Sequence, residues 1–188
     1  ESYNAILRDP DATTRVDSVF IGGTTSTRSQ WAVAAAQHHK HVLIGCPAAA
    51  DYESTVVMRD ACVAEDVALQ DVVPFSHHTR TEEILSTIAE SRFFGEVRRV
   101  DVAFTISASR DFLEGAGKES TAKDDPLGCL GDLGWYNIRF NLWIMEYAMP
   151  KAVSGRMIRG AARGDSPDQV PVEFSGELFY CLLYTSPS

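Results

Sequence analysis

Short runs of apolar, β-branched residues recur along the first 75 positions, each followed by a stretch in which apolar residues return every three or four places. VDSVFIGG (Val16 to Gly23) is one such run, closed by two glycines. The following TRSQWAVAAAQHHK sets Trp31, Ala34, Ala35 and His38 on one helical face, so a strand leads into a helix. HVLIGC is the next strand. Asp51 then caps a helix reaching about Glu65, with Val56, Val57, Met58, Ala61 and Cys62 available for burial, and VALQDVV is a further strand. Strands that are apolar throughout, separated by helices, predict a parallel sheet covered on both faces.

After Pro74 the pattern changes. RTEEILSTIAES is an amphipathic helix, FFGEV turns the chain, and VRRVDVAFTIS alternates. Val100, Val102, Phe104 and Ile106 fall on one side and Arg99, Asp101, Ala103 and Thr105 on the other, as in a strand with one wetter face. A glycine-rich entry and a helix follow in DPLGCLGDLGWYNIRFNLWIMEYAMP, then two strand-like runs, KAVSGRMIRGAA and VPVEFSGELFY. The fold class read from this order is α/β: a parallel, partly Rossmann-like part over residues 1–75, then an α+β part with an open, mainly antiparallel sheet over 76–180. The change falls near residues 74 to 79.

Composition narrows the classes. With 45% hydrophobic and 23% charged residues, the 188-residue chain has material for a globular core. Seventeen Lys and Arg against 26 Asp and Glu give a net charge of −9, with no basic cluster beyond pairs such as Arg98-Arg99. That balance speaks against nucleic acid as a partner. No run approaches the roughly 20 apolar residues of a membrane helix. Cys46, Cys62, Cys129 and Cys181 lie in unrelated segments without CxxC spacing, the pattern of free thiols in a reducing, cytoplasmic setting. The final CLLYTSPS breaks the preceding pattern. It can be spelt TGT CTC TTA TAC ACA TCT CCG AGC, which resembles a sequencing-library transposase adapter read in frame. Residues 181–188 are therefore expected to be non-native, and the absence of an initiator Met at Glu1 implies a chain that begins mid-protein or has been trimmed.

Candidate chemistry is sparse. His38, His39 and His41 straddle a helix end and a strand start and do not converge on one metal ion. GAGKES (Gly115 to Ser120) fails the phosphate-loop spacing at Phe112 and Glu119, and reads as a mobile loop. GDLGWY is more informative. On a helix starting near Leu130, Asp132 and Tyr136 stand four residues apart and project from one face. A tyrosine hydroxyl can give or take a proton when neighbours tune it. Alternatively, Tyr136 packs among Trp135, Phe140 and Trp143, with Asp132 as a first-turn acid favoured by the helix dipole.

Taken together and in order, VDSVFIGGTTSTRSQWAVAAAQHHKHVLIGCP, FSHHTRTEEI, FFGEVRRVDVAFTI and DPLGCLGDLGWYNIRFNLW resemble the Gfo/Idh/MocA oxidoreductases. The nearest branch is that of dimeric dihydrodiol dehydrogenase and NADP-dependent D-xylose dehydrogenase, and the resemblance covers about residues 1 to 180. It implies an N-terminal Rossmann domain binding NADP or NAD. It also implies a second domain whose open sheet supports substrate binding and a homodimer. The glycine-rich pyrophosphate turn would lie upstream of Glu1.

In that family the turn after the second of these strands carries Glu-Lys-Pro, whose lysine holds the substrate hydroxyl and helps its proton leave. Here the matching residues are Gly45, Cys46 and Pro47. Pro47 keeps the turn, but Cys46 has neither the reach of a lysine nor its fixed charge. Asp132 and Tyr136 match the branch's DLGxY motif, in which the tyrosine is the proposed acid/base, and are the expected catalytic pair. His77, His78 and Arg80 match a HHPRT-like block, with Thr79 in place of proline, and are the expected substrate residues. Thr24 and Thr25 stand at the family's Pro-Thr or Pro-Asn, and Arg28 stands where the family often has His. With Gly45 and Pro47 they are the expected cofactor contacts.

Two functions follow as expectations. The first is hydride transfer between NADP and a hydroxyl carbon of a small-molecule sugar or dihydrodiol. The second is a non-catalytic relative that binds nucleotide or sugar, or assembles through the open sheet. Cys46 favours the second and the intact GDLGWY favours the first.

Overall fold

The computed structural model of the chain describes residue 7 and residues 16–90, 95, 97–109, 122–162 and 167–180. Two sheets organise these residues. The first is three-stranded and parallel, from β1 (Ser18–Ile21), β2 (His41–Ile44) and β3 (Leu69–Asp71) in that spatial order. Helix α1 (Thr25–Gln37) joins β1 to β2, and α2 (Tyr52–Ala64) joins β2 to β3. The register sets Val19 beside Val42, Ile21 beside Ile44 and Ile44 beside Asp71, so β1 and β2 are neighbouring parallel strands as their sequence predicts.

Alternate strand residues feed a single core. Ile21, Val42 and Ile44 are buried with Ala32, Ala35 and Ala36 of α1 and with Met58 and Cys62 of α2. Removing a side chain such as Met58 from water is worth about 1.5–3 kcal/mol. The alanines let α1 lie close to the sheet and to α2, and the Ser29 hydroxyl donates to the Ser54 carbonyl at 3.2 Å. The start of α2 is fixed by its cap: Asp51 accepts from the Ser54 backbone N–H at 2.7 Å, and that bond lowers the Asp51 pKa.

Three expectations need correction. Among the described residues only one face of the parallel sheet is covered, since Phe20 and Leu43 point to the other face and are exposed. Right-handed crossovers that step the same way along a sheet put both helices on one side, which an apolar strand run by itself does not reveal. In α1 the buried residues are Thr25, Ala32, Ala35 and Ala36, with Trp31 and Ala34 packed against the core as their face predicts, but His38 at the end of that face is exposed, and in α2 Val57 is exposed. Finally, residues 97–109 form no strand among the described residues, although Arg99 and Asp101 form the same-side ion pair of an extended segment at 2.8 Å. Alternation supplies a face, but a strand needs a neighbour for its ladder.

Beyond β3 the chain passes through a single 3-10 turn, Pro74–His77, into α3 (Thr79–Glu90). The glycine-rich entry becomes a π-helical turn, Leu130–Gly134, that runs into α4 (Trp135–Ile144). The second sheet is an antiparallel ribbon of β4 (Ala152–Ala162) and β5 (Gln169–Phe179), with a register irregularity around Met157 and Arg159. Val153, Met157 and Ile158 leave it open to solvent. Two contacts dock α4 on the first sheet. Phe75 packs edge-on to Phe140 and Trp143, and Arg139 pairs with Asp71 at the end of β3 at 3.4 Å. The GAGKES segment, most of FFGEV and residues 181–188 with Cys181 lie outside the described residues.

Candidate active site

In a doubly wound sheet the crevice beyond the carboxyl ends of the strands is where ligands bind. Here that rim is built from small residues. Gly22 to Thr25 follow β1, and Gly45, Cys46 and Pro47 follow β2. The Gly45 N–H donates to the Ile21 carbonyl at 2.9 Å, extending the ladder into the turn. A Cβ on Gly23 would have only the Thr27 hydroxyl within contact range, at 3.5 Å, so the peptide backbone at the end of β1 is open to approach.

Arg28 reaches from α1 across this rim. Its Nε donates to the Gly23 carbonyl at 2.9 Å and its Nη1 donates to the Pro47 carbonyl. Thr25 is buried, and the Thr24 hydroxyl lies 3.0 Å from that of Thr27. The Cys46-Pro47 peptide is cis, and Pro47 is buried.

The π-helical turn meets Pro47 directly. A Cβ on Gly131 would stand 3.2 Å from Pro47 Cγ and 2.9 Å from Leu127 Cβ, so only glycine lets the backbone come this close. This approach brings the Tyr136 hydroxyl to 3.0 Å from Cys46 Sγ. The Tyr136 ring is held edge-on by Phe104 at 5.8 Å and by Trp135 at 5.2 Å between centroids. Asp132 is exposed and lines an open groove of about 1860 Å³ between residues 97–108, α4 and β5, and Phe104, which also lines it, packs against the Tyr136 ring.

The hydrogen bond with Cys46, burial, and the charges of a Cys46 thiolate and of Asp132 all favour the protonated phenol, and the Tyr136 pKa is pushed up to about 12. Ionisation of Tyr136, read as the phenolate absorbance difference between the chain and its Tyr136→Phe variant, is expected to centre about 12. The ordinary tyrosine value is about 10, and Cys46→Ala is expected to move the midpoint towards it. Over that interval the unfolded chain binds fewer protons than the folded one, so stability falls as pH rises from about 10 to about 12. A Tyr136 that titrates at the ordinary value in the folded chain contradicts the contact.

The remaining sequence candidates lie apart. His77, His78 and Arg80 are exposed around the start of α3, and His78 Nδ1 accepts from the Arg80 N–H at 3.1 Å. No hydrogen bond or ion pair joins them to Cys46 or Tyr136 among the described residues. His39 pairs with Glu65 at 3.3 Å, and His41 Nδ1 accepts from the Ala68 N–H. Among the described residues Cys46, Cys62 and Cys129 form no disulfide, and burial raises the pKa of Cys62. Sequence reasoning missed Gly131. The signal was present as glycines at every third position, Gly128, Gly131 and Gly134, a spacing that marks close backbone approach more than flexibility.

No family model matches the chain. A curated relative, the uncharacterised oxidoreductase ORF334 of Rhizobium meliloti, is 32% identical over 104 residues, 55% of this chain and 30% of that protein. Among solved structures, the WlbA dehydrogenase of Bordetella pertussis, in complex with NADH and UDP-GlcNAcA, superposes with a TM-score of 0.77 at 18% identity over 95% of this chain and 52% of its own. GenD2 of gentamicin A biosynthesis, in complex with NAD, gives 0.70 at 17% identity over 93% and 46%. The chain shares the Rossmann-type fold of these two proteins. The putative oxidoreductase yvaA of Bacillus subtilis shares this fold, with a TM-score of 0.64 at 21% identity over 96% of this chain and 46% of its own. The chain spans about half the length of these solved relatives and 30% of the curated one. Among the described residues no helix is long and apolar enough to cross a membrane.

Proposed function

We propose that this chain is part of an NADP- or NAD-dependent oxidoreductase that interconverts a hydroxyl and a carbonyl on a small sugar or dihydrodiol, with Tyr136 handling the oxygen-bound proton. The observation that carries the reading is the 3.0 Å approach of the Tyr136 hydroxyl to Cys46 at the rim of the parallel sheet. Nicotinamide, when bound, supplies the hydride acceptor or donor. Thr24, Thr25, Arg28, Gly45 and Pro47 would hold it against the rim. His77, His78 and Arg80, with Asp132 on the groove side, would meet the substrate. Fold relatives lend support to the substrate class: WlbA was solved with NADH and UDP-GlcNAcA, and the 3-ketoreductase KijD10 of Actinomadura kijaniata with NADP and TDP-benzene.

The raised pKa of Tyr136 keeps its phenol protonated near neutral pH, the form that donates a hydrogen bond to a substrate oxygen, and leaves little phenolate to act as a base towards a hydroxyl. The cytoplasm and a homodimer joined through the open face of β4 and β5 are the setting we propose.

The second reading, a non-catalytic relative that binds nucleotide or sugar or acts in assembly, is favoured by one observation: a thiol stands where the family has its lysine. The two separate in a longer protein that carries the pyrophosphate turn. Its NADPH absorbance would be followed with the aldehyde or ketone forms of the substrates, and NADP+ reduction with D-xylose, D-glucose and a dihydrodiol. Turnover of any of them, in either direction, supports the first reading, and NADP binding without turnover of any of them supports the second.

A further inference from the structure

We infer that Arg28 is the positioning residue of this site: its guanidinium clamps the ends of β1 and β2 and so holds Cys46 where it meets Tyr136. The two donors of one rigid planar fork serve the carbonyls of Gly23, just beyond β1, and of Pro47, next to Cys46. With both ends of the fork engaged, neither turn can swing without breaking a hydrogen bond. Gly45 sits against the fork: a Cβ there would be in van der Waals contact, at 3.4 Å, with the guanidinium carbon, Nη2 and the Ile21 carbonyl oxygen, so a side chain branched beyond Cβ would press on the arginine. Pro47, held from one side by Arg28, is met from the other by Gly131 of the turn that leads to Tyr136. A continuous path of contact therefore runs from β1 through Arg28 and Pro47 to the helix bearing the phenol. Arg28 acts through the turn, by carbonyls, and not through the reacting atoms.

This inference rests on the geometry of the turn and does not require hydride transfer, so its test needs no turnover and its failure leaves the proposed function standing. In the 188-residue chain, Arg28→Met, Arg28→Lys and Gly45→Val are compared with wild type by two readouts. One is iodoacetamide labelling of Cys46 and Cys62, mapped by peptide mass. The other is the ionisation midpoint of Tyr136 from the absorbance difference against the matching Tyr136→Phe variant. Arg28→Met is expected to speed Cys46 labelling about fivefold, the effect of losing about one net hydrogen bond on a local opening. It should also move the Tyr136 midpoint from about 12 towards the ordinary value, while buried Cys62 stays protected. Arg28→Lys, which can reach one carbonyl, recovers part of both effects. Gly45→Val keeps the arginine but crowds its fork, and moves both readouts in the direction of Arg28→Met. Unchanged Cys46 labelling and an unchanged Tyr136 midpoint in Arg28→Met overturn the inference. So does labelling of Cys62 in step with Cys46 in both Arg28→Met and Gly45→Val, because the arginine then supports the whole sheet and not the turn.

Discussion

Replacing Cys46 by Lys, in a longer protein that carries the pyrophosphate turn, is expected to raise dehydrogenase turnover by about 10²-fold or more. A positioned proton-handling or charge-stabilising group contributes about 10²- to 10⁴-fold, and the thiol beside Tyr136 supplies no such charge. Two effects add. Removing the thiol removes the largest cause of the raised Tyr136 pKa, and an ammonium near the phenol lowers that pKa further. More phenolate near neutral pH puts more of Tyr136 in the form that can take the proton of a substrate hydroxyl. Gly45→Glu would complete the family's Glu-Lys-Pro, but its side chain would start 3.4 Å from the Arg28 guanidinium. The Cys46→Lys change is therefore measured both alone and combined with Gly45→Glu. The assay follows NADPH absorbance with D-xylose, D-glucose and a dihydrodiol, and Tyr136→Phe in the lysine background should remove the gain. Wild-type turnover equal to that of the lysine variant means that Cys46 is no lesion. A Tyr136→Phe change without effect there removes Tyr136 from the chemistry.

Gly128→Ala is expected to be the most destabilising single methyl in the described part of the chain, at about 3 kcal/mol or more, from backbone strain of about 1–3 kcal/mol and an overpacking cost of similar size. Gly128 has a φ of 49°, the left-handed region that side chains disfavour. Its added Cβ would overlap the Pro171 carbonyl oxygen and lie 3.2 Å from Val170 Cβ. Val170 is only 2% exposed and Pro171 sits in β5, so neither can retreat without opening the ribbon. Urea denaturation followed by far-ultraviolet circular dichroism should show a lower midpoint at an unchanged slope. A midpoint equal to wild type would show that β5 does not pack against this turn. Gly95, whose φ is 64° but whose Cβ would meet nothing within 4 Å, isolates the strain contribution through Gly95→Ala.

Much of the parallel half was legible because local and long-range signals agree there. Val19, Ile21, Val42 and Ile44 are β-branched or apolar at strand spacing, glycine ends β1, and Asp51 caps α2 with the bond its side chain predicts. What escaped depends on partners that a periodicity cannot name. Residues 99 to 106 alternate correctly yet carry no strand among the described residues. Phe20 and Leu43 look like buried strand residues and stand exposed, because their cover depends on which side the crossovers take. The site was legible in part. Tyr136 and Asp132 stood out by spacing, and Cys46 by its departure from a family turn. The contact between Tyr136 and Cys46 depends on Gly131 and Arg28, residues whose role lies in what they let approach. The π-helical turn at Leu130–Gly134 left no trace in the pattern, since LGDLG holds too few apolar side chains for a period to be read.

The two partners of the central contact are 90 residues apart in the chain, one on the rim of the parallel sheet and the other on the helix that precedes the ribbon. The contact therefore exists only while the sheet and the helix are docked on each other. Loop-closure entropy opposes so distant a pairing, and what opposes it in turn is the Phe75, Phe140 and Trp143 cluster with the Asp71–Arg139 pair. Mild denaturant or heat would thus silence the chemistry while both sheets keep their spectroscopic signature, and the Tyr136 phenol, returning to an ordinary proton affinity, would report the moment of separation.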